Sequence, residues 1–409
     1  MIRKALISVA VFFMVFFIFL PDKLLAQPEI SAEAAILMDM ETGQVLYQKN
    51  PDQRMYPAST TKILTAMLAI KSGNFSDRVK ISRNAASVDG SHVGLQEDEV
   101  VSLEDLLYIM MLASGNDAAT AIAEHIGGSV EEFARAMNRE ARAIGAMNSN
   151  FANPHGLHDP NHYTTARDLA TIAREAMRNS VFRKIVGTYH YRNHRVLPRP
   201  VNGVPQEDFV NLNKLLWEGY TFEYRGANGI KTGYTDEARR TLVSSAKRGD
   251  RELLAVVMKA ELEGVYLDSI KLLDYGFNDF KQVELVQSGA EITRAPVKGG
   301  QSDDIGVLAA GGFHYNLPVN DVGRIDRKIN LDGKISAPVS KGQKVGTMSF
   351  VRDGKVIGSV DLVSDRDVEK NPLFRWWYGL VVLAVIFIYL RAQARARRRR
   401  YLLRKRKWV

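Results

Sequence analysis

Three short patterns hold side chains that could together make one reaction centre: Ser59-x-x-Lys62, Ser114-x-Asn116 and Lys231-Thr232-Gly233. A serine hydroxyl is a weak nucleophile and needs a neighbouring base. A lysine is that base only when its pKa is lowered by desolvation or a second cation. Lys62 is followed by the apolar run ILTAMLAI, and Lys231 is a candidate for the second cation. In such a centre Ser114 relays a proton to a leaving amine and Asn116 holds a peptide amide. Lys231 and Thr232 bind a terminal carboxylate, and Gly233 lets a substrate backbone come close to its strand.

Each pattern alone is weak, because the chain contains second copies: Ser244-x-x-Lys247 and Ser82-x-Asn84. Context separates them. On a helix, positions i and i+3 share a face, so Lys62 reaches Ser59. Ser244 and Lys247 fall in a predicted strand, where i and i+3 point to opposite faces. Ser82 and Asn84 fall in an irregular polar stretch, whereas Ser114–Asn116 interrupts two predicted helices.

The elements that must position these residues follow from the patterning. Residues 34–49 read as a hairpin turning at Glu41-Thr42-Gly43. A helix opens at Pro57-Ala58-Ser59 and ends at Gly73. It is apolar on nearly every face and is therefore buried, with Ser59 at its mouth. Its N-terminus would help to stabilise a developing oxyanion. Residues 102–178 are helix-rich. Ser102-x-x-Asp105 resembles a capping box, the helix after it stops at Ser114-Gly115-Asn116, and another runs over 118–126. Strands are predicted at 230–234, 240–247 and 252–260, the last two joined at Arg248-Gly249-Asp250. The hairpin and these strands make one antiparallel sheet carrying a helical cluster, an α+β domain over 27–277. Residues 278–366 are punctuated by glycine and read as a small all-β domain with no evident chemistry.

The 409 residues contain no cysteine, which excludes a disulfide framework, thiolate catalysis and Cys-ligated zinc. The net charge of +9 does not point to nucleic acid. Ten Lys and Arg with no acid lie in 391–409, and removing them takes the total to −1. Residues 1–26, with Arg3 and Lys4 before an apolar stretch and Ala26 at its end, read as a secretory signal peptide. The competing reading is a retained anchor, because Leu24 is a poor residue two places before Ala26. Residues 376–390, WWYGLVVLAVIFIYL, are apolar throughout and are expected to span the membrane once. At ~1.5 Å per residue they reach ~22 Å of a ~30 Å core, with Arg375 and Arg391 placed to snorkel outward. An interfacial helix would need a polar face, which this run lacks. The basic tail 391–409 then lies on the cytoplasmic side.

The ordered trio resembles that of the penicilloyl-serine transferases. The flanks NPHGLHDPNHYTTARDLA (153–170) and KTGYTDEA (231–238) resemble the D-alanyl-D-alanine carboxypeptidases among the low-molecular-mass penicillin-binding proteins. The similarity covers about 30–275, and the small β domain and C-terminal anchor fit that layout. The resemblance implies a fold like that of serine β-lactamases and penicillin-binding transpeptidases. It implies that Ser59 is acylated, that Lys62 accepts its proton, that Ser114 relays and that Lys231 binds substrate. The oxyanion hole would be the N–H groups of Ser59 and Tyr234. The substrate would be a peptidoglycan stem peptide ending in D-Ala-D-Ala, and β-lactams would be inhibitors. No cofactor, metal or nucleic acid is called for. One departure stands out: many relatives carry an arginine where this chain has Val265, so carboxylate binding falls more on Lys231 and Thr232.

Other readings compete. His155, His158 and His162 with Asp159 could form a metal cluster, but Pro154 and Pro160 break any helical register. A β-lactamase would need a deacylating glutamate, and Glu207, with Asn211, falls in the wrong place in the order. A β-lactam-sensing receptor would need a cytoplasmic domain larger than 391–409. A DD-endopeptidase cutting cross-links differs only on the leaving-group side. Ser59→Ala is expected to abolish peptidase activity and covalent labelling by penicillin, and Ser244→Ala to leave both nearly intact. Labelling that survives Ser59→Ala would show that the nucleophile lies elsewhere.

Overall fold

The computed structural model describes residues 27–193, 208–321, 323–371 and 376–405. The expected signal peptide and Glu207 lie outside them. The chain forms two compact units, one of residues 1–282 with 316–320, the other of 283–315 with 321–409.

In the first unit β1 (Ala34–Asp39) and β2 (Val45–Lys49) form the expected hairpin. Two short pairs follow, β3 (Arg78–Lys80) with β4 (Val100–Ser102) and β5 (His190–Arg192) with β6 (Asp208–Val210). β7 (Ala227–Thr235), β8 (Arg239–Arg248) and β9 (Arg251–Ala260) complete a five-stranded antiparallel sheet, ordered β2-β1-β9-β8-β7. β7 is longer than the predicted 230–234, because its pairing with β8 runs from Ala227 to Thr235.

β9 is buried from Leu253 to Met258, so it reads as a continuous apolar run. Its alternate side chains nevertheless separate. Leu254, Val256 and Met258 join the core under the helical cluster, while Leu253, Ala255 and Val257 join a second core. A sheet covered on both faces has no reason to show polar alternation.

The helices are α1 (Lys62–Ser72), α2 (Arg83–Ala86), α3 (Leu103–Leu112), α4 (Asn116–Gly127), α5 (Val130–Ala143), α6 (Ala166–Ala176), α7 (Ser180–Gly187) and α8 (Gly264–Asn278). α1 is buried over its first eight residues, as an all-round apolar sequence requires. It does not begin at Pro57. Ala58–Thr61 form a separate 3-10 turn, with Lys62 as its C-cap. α3 starts at the predicted cap: the Ser102 hydroxyl accepts from the Asp105 N–H and donates to its carboxylate at 2.6 Å. α4 starts at Asn116, two residues earlier than predicted. α8 covers the second face, where Gly276 brings the helix so close that a Cβ there would lie 2.5 Å from Leu253.

The second unit is built on a five-stranded sheet, β11-β12-β16-β15-β14. These five are β11 (Glu291–Pro296), β12 (Asp304–Ala309), β14 (Asp326–Leu331), β15 (Lys344–Arg352) and β16 (Lys355–Ser364), while β10 (Phe280–Val286) and β13 (Phe313–Pro318) form a two-stranded sheet of their own. Ile305, Val307, Phe350 and Leu362 are fully buried at the unit's centre. The predicted turn at Asp353-Gly354 joins β15 to β16 with both residues at positive φ (49° and 76°), the geometry of a tight hairpin. α9 (Trp376–Lys405) is a single helix that continues through the arginines instead of ending at Leu390. Its stretch Trp377–Leu402 is long and apolar enough to cross a membrane.

Candidate active site

The 3-10 turn carries Ser59 between two glycines that approach it closely. At Gly156 a Cβ would sit 1.9 Å from the Ala58 carbonyl oxygen, and φ there is +90°. At Gly233, on β7, a Cβ would sit 3.1 Å from both the Ser59 nitrogen and the Pro57 oxygen. The strand edge and the nucleophile's turn are therefore pressed together backbone to backbone, and Ala58 is held at φ +48°. Ser114 adopts φ +63° in the break between α3 and α4. Such a conformation costs a non-glycine residue about 1–3 kcal/mol, which the packing around it must offset.

Lys62 is fully buried. Its Nζ lies 2.7 Å from Asn116 Oδ1, 2.7 Å from the His155 carbonyl oxygen and 3.0 Å from Ser59 Oγ. Asn116 Oδ1 and the carbonyl only accept, so they take two amine N–H groups. The third direction faces Ser59. In the neutral amine that direction holds the lone pair, and the Ser59 hydroxyl donates to it. The neutral form is favoured: burial holds the Lys62 pKa well below its ordinary value, the Lys231 charge lowers it further, and Asp117 opposes. Lys231 is also buried, which brings its pKa down to about 7, and its Nζ donates to the Thr232 carbonyl at 3.0 Å.

Asn116 has a use the sequence did not reveal. Besides accepting from Lys62 it donates through Nδ2 to the Asp89 carbonyl at 2.8 Å. One amide N–H is left for a substrate, so the residue positions the base as well as offering a contact. Asp117 was missed. Its carboxylate accepts from the N–H groups of Val93, Leu95 and Ala118, fixing the loop that carries Ser91 against the site. The His155 carbonyl was missed too, since a main-chain acceptor has no residue signature.

Two clefts meet at Ser59. One, of about 310 Å³, includes Ser114, Thr232, Gly233 and Tyr234. The other, of about 530 Å³, includes Asn116, Gly156, His158 and Glu237. A nucleophile between two clefts can face a leaving group on one side and an acyl group on the other.

The histidines do not converge. His162 Nδ1 accepts from the Ala152 N–H, and Nε2 meets Thr61 Oγ1 at 2.8 Å. Burial lowers its pKa to about 4 and that of His155 to about 3. No group of three or more metal-ligating side chains occurs among the described residues. The duplicate patterns have structural uses. Ser82 caps α2, accepting from the Ala85 N–H and donating to Glu124, so its stretch is not irregular as predicted. Ser244 is buried in β8 while Lys247 is exposed. Asn211 donates to the carbonyls of Val186 and Thr188, tying a loop.

Fold and site together define a serine enzyme of the penicillin-binding type, with a buried lysine beside Ser59. The chain belongs to the D-alanyl-D-alanine carboxypeptidase family, whose profile matches residues 22–262, and residues 280–370 match the C-terminal domain of penicillin-binding protein 5. It is 34% identical over 359 residues to the D-alanyl-D-alanine carboxypeptidase DacF of Bacillus subtilis, covering 83% of this chain and 86% of the relative. It is also 34% identical over 369 residues to DacA of Haemophilus influenzae, covering 88% and 90%. The crystal structure of penicillin-binding protein 5 from Haemophilus influenzae superposes with a TM-score of 0.74 at 33% identity, covering 85% of this chain and 100% of that one.

The electrostatics give a signed expectation. With Lys62 as the expected base, the acylation rate is expected to rise with pH as that amine loses its proton. Lys231→Met removes the cation that disfavours protonated Lys62, which then keeps its proton to higher pH. The acid limb of the penicillin acylation rate, followed by stopped-flow over pH, is expected to move to higher pH. A limb that stays in place would show that the Lys231 charge does not set the base.

Proposed function

We propose that Ser59 carries the acyl-enzyme of a D-Ala-D-Ala carboxypeptidase that trims peptidoglycan stem peptides. Lys62 takes the Ser59 proton as Oγ attacks the carbonyl carbon of the penultimate D-alanine. The N–H groups of Ser59 and Tyr234 receive the oxyanion. Ser114 gives its hydroxyl proton to the amide nitrogen and takes the proton held by Lys62, the C–N bond breaks, D-alanine leaves, and Lys62 is neutral again. Water then gives a proton to Lys62 and attacks the ester, and Ser59 regains its hydrogen. Asn116 holds the substrate amide with its remaining N–H. Lys231, Thr232 and Gly233 line the carboxylate side, and no metal or cofactor takes part. The observation that carries this reading is the hydrogen-bonding set of Lys62, which leaves one direction and aims it at Ser59.

β-Lactams acylate the same oxygen. Their amine stays tethered through the opened ring and occupies the leaving-group cleft, where water must enter. Purified protein is expected to release D-alanine from a pentapeptide ending in D-Ala-D-Ala faster than it opens a cross-linked dimer. Its penicilloyl adduct, seen by intact-protein mass spectrometry, is expected to persist at least about tenfold longer than the peptide acyl-enzyme, a difference of only ~1.4 kcal/mol in barrier. Preferred opening of the dimer would make the protein an endopeptidase. An adduct that clears within seconds over many turnovers would make it a β-lactamase.

The organisation we propose has an export signal at 1–26, the catalytic domain at 27–277 outside the membrane and the β domain at 278–366. One span at 376–390 and a cytoplasmic tail at 391–409 follow. Two features support it: the apolar start of α9 and the arginines that follow in the same helix. A tag after Val409 is expected to resist protease added to intact protoplasts. Its digestion, or release of the protein by carbonate, would overturn the topology.

A further inference from the structure

The smaller cleft at Ser59 carries a charge pattern that the mechanism above leaves unused. Among the described residues lining it there are two half-buried cations, Lys214 and Arg240, and no aspartate or glutamate. Val265 supplies apolar wall. A concave surface of one sign raises the local concentration of a counter-charged group and orients it.

Arg240 is the better placed of the two. In the β7–β8 register it lies opposite Tyr234, and Leu242 lies opposite Thr232. It therefore sits at the end of the strand edge that presses on the nucleophile's turn. Its guanidinium carbon stands 4.4 Å over the Tyr234 ring, and its charge also reaches the Tyr266 phenol on the opposite wall. No carboxylate among the described residues pairs with it. Neighbouring arginines of the same unit are paired: Arg248 with Asp274, and Arg183 with Glu252 at 2.6 Å. Stacking on a ring fixes the plane of a guanidinium while leaving its N–H edge open, which is the edge that grips a carboxylate in two parallel bonds.

The other cations suit this task less. Lys214 is drawn to Tyr220, 3.3 Å from its hydroxyl and 5.1 Å from its ring. Lys231 is buried on β7, and its Nζ is already held by the Thr232 carbonyl at 3.0 Å. Arginine keeps its charge at every working pH.

We propose that Arg240 is the anion anchor of the leaving-group cleft and grips the free C-terminal carboxylate of the D-alanine to be released. This rests on the carboxypeptidase reading above and adds to it the residue that selects a peptide end over an internal bond. Two substrates separate the effects, a D-Ala-D-Ala peptide with a free C-terminal acid and the same peptide as its C-terminal carboxamide. D-Alanine or D-alaninamide release is measured for the full-length protein in detergent and for Arg240→Gln, Arg240→Lys and Arg239→Gln.

The wild-type protein is expected to prefer the acid. Arg240→Gln should lower the acid-to-amide ratio of kcat/KM by about tenfold or more, the scale of one lost charge-assisted bidentate contact. Arg240→Lys should restore part of it, and Arg239→Gln, one residue away and exposed, should leave the ratio as in the wild type. An unchanged ratio in Arg240→Gln overturns the assignment and leaves the carboxypeptidase reading standing. Equal loss on both substrates, with a lowered unfolding midpoint, also overturns it by making Arg240 a structural residue. If the wild type releases nothing from either peptide, the carboxypeptidase reading fails and this assignment falls with it.

Discussion

Everything in the catalytic unit bears on one constraint, a lysine amine buried inside the protein and held well below its ordinary pKa. An ammonium taken out of water costs several kcal/mol unless it is paired, and a buried amine avoids that cost by staying neutral. Among the described residues Lys62 hydrogen-bonds no carboxylate, only a carbonyl, an amide oxygen and a hydroxyl. The nearby anion, Asp117, already accepts from three backbone N–H groups. The charge of Asp117 is thus directed at a loop, and its opposition to the lowered Lys62 pKa is the weakest of the named influences.

Holding an amine that way requires a rigid surround, and the fold provides it from several directions. α1 is packed on all sides, so Lys62 cannot swing to solvent. α4 brings Asn116 from 54 residues away and the 153–157 loop brings the His155 carbonyl from 93 residues away. That loop is itself seated by Thr65, whose hydroxyl donates to the Pro154 carbonyl at 2.7 Å, and by the neutral His162 beside Thr61. The segment whose histidines invite a metal reading is a shaped wall. Two of its imidazoles, His155 and His162, are buried with lowered pKa values and accept backbone N–H groups of the same wall.

Backbone proximity accounts for the glycines of the site. At Gly156 a Cβ would collide with the Ala58 carbonyl, and at Gly233 it would crowd the Ser59 nitrogen at 3.1 Å, so both glycines let main chain come close to the Ser59 turn. The positive φ angles of Ala58 and Ser114 are the conformational cost of aiming both serines at one point.

Residue type and spacing in the chain determined the chemistry class. Ser59 with Lys62 one turn on, the break at Ser114-Gly115-Asn116 and Lys231-Thr232-Gly233 near a strand all lie where local periodicity places them. The burial of α1, the capping box at Ser102 and the hairpins at Gly43 and Gly354 were equally local, because helix and strand periods and turn residues act over a few positions. What tertiary structure alone decided were the long-range meetings. The His155 carbonyl beside Lys62, Asp117 under the Ser91 loop, Asn116 shared between base and substrate, and Arg240 over Tyr234 depend on backbone atoms and sheet register that carry no pattern in the sequence. The split of the first helix into a 3-10 turn and α1 belongs with them. It is set by contact with β7 and Gly156, and propensity along 57–73 is blind to both.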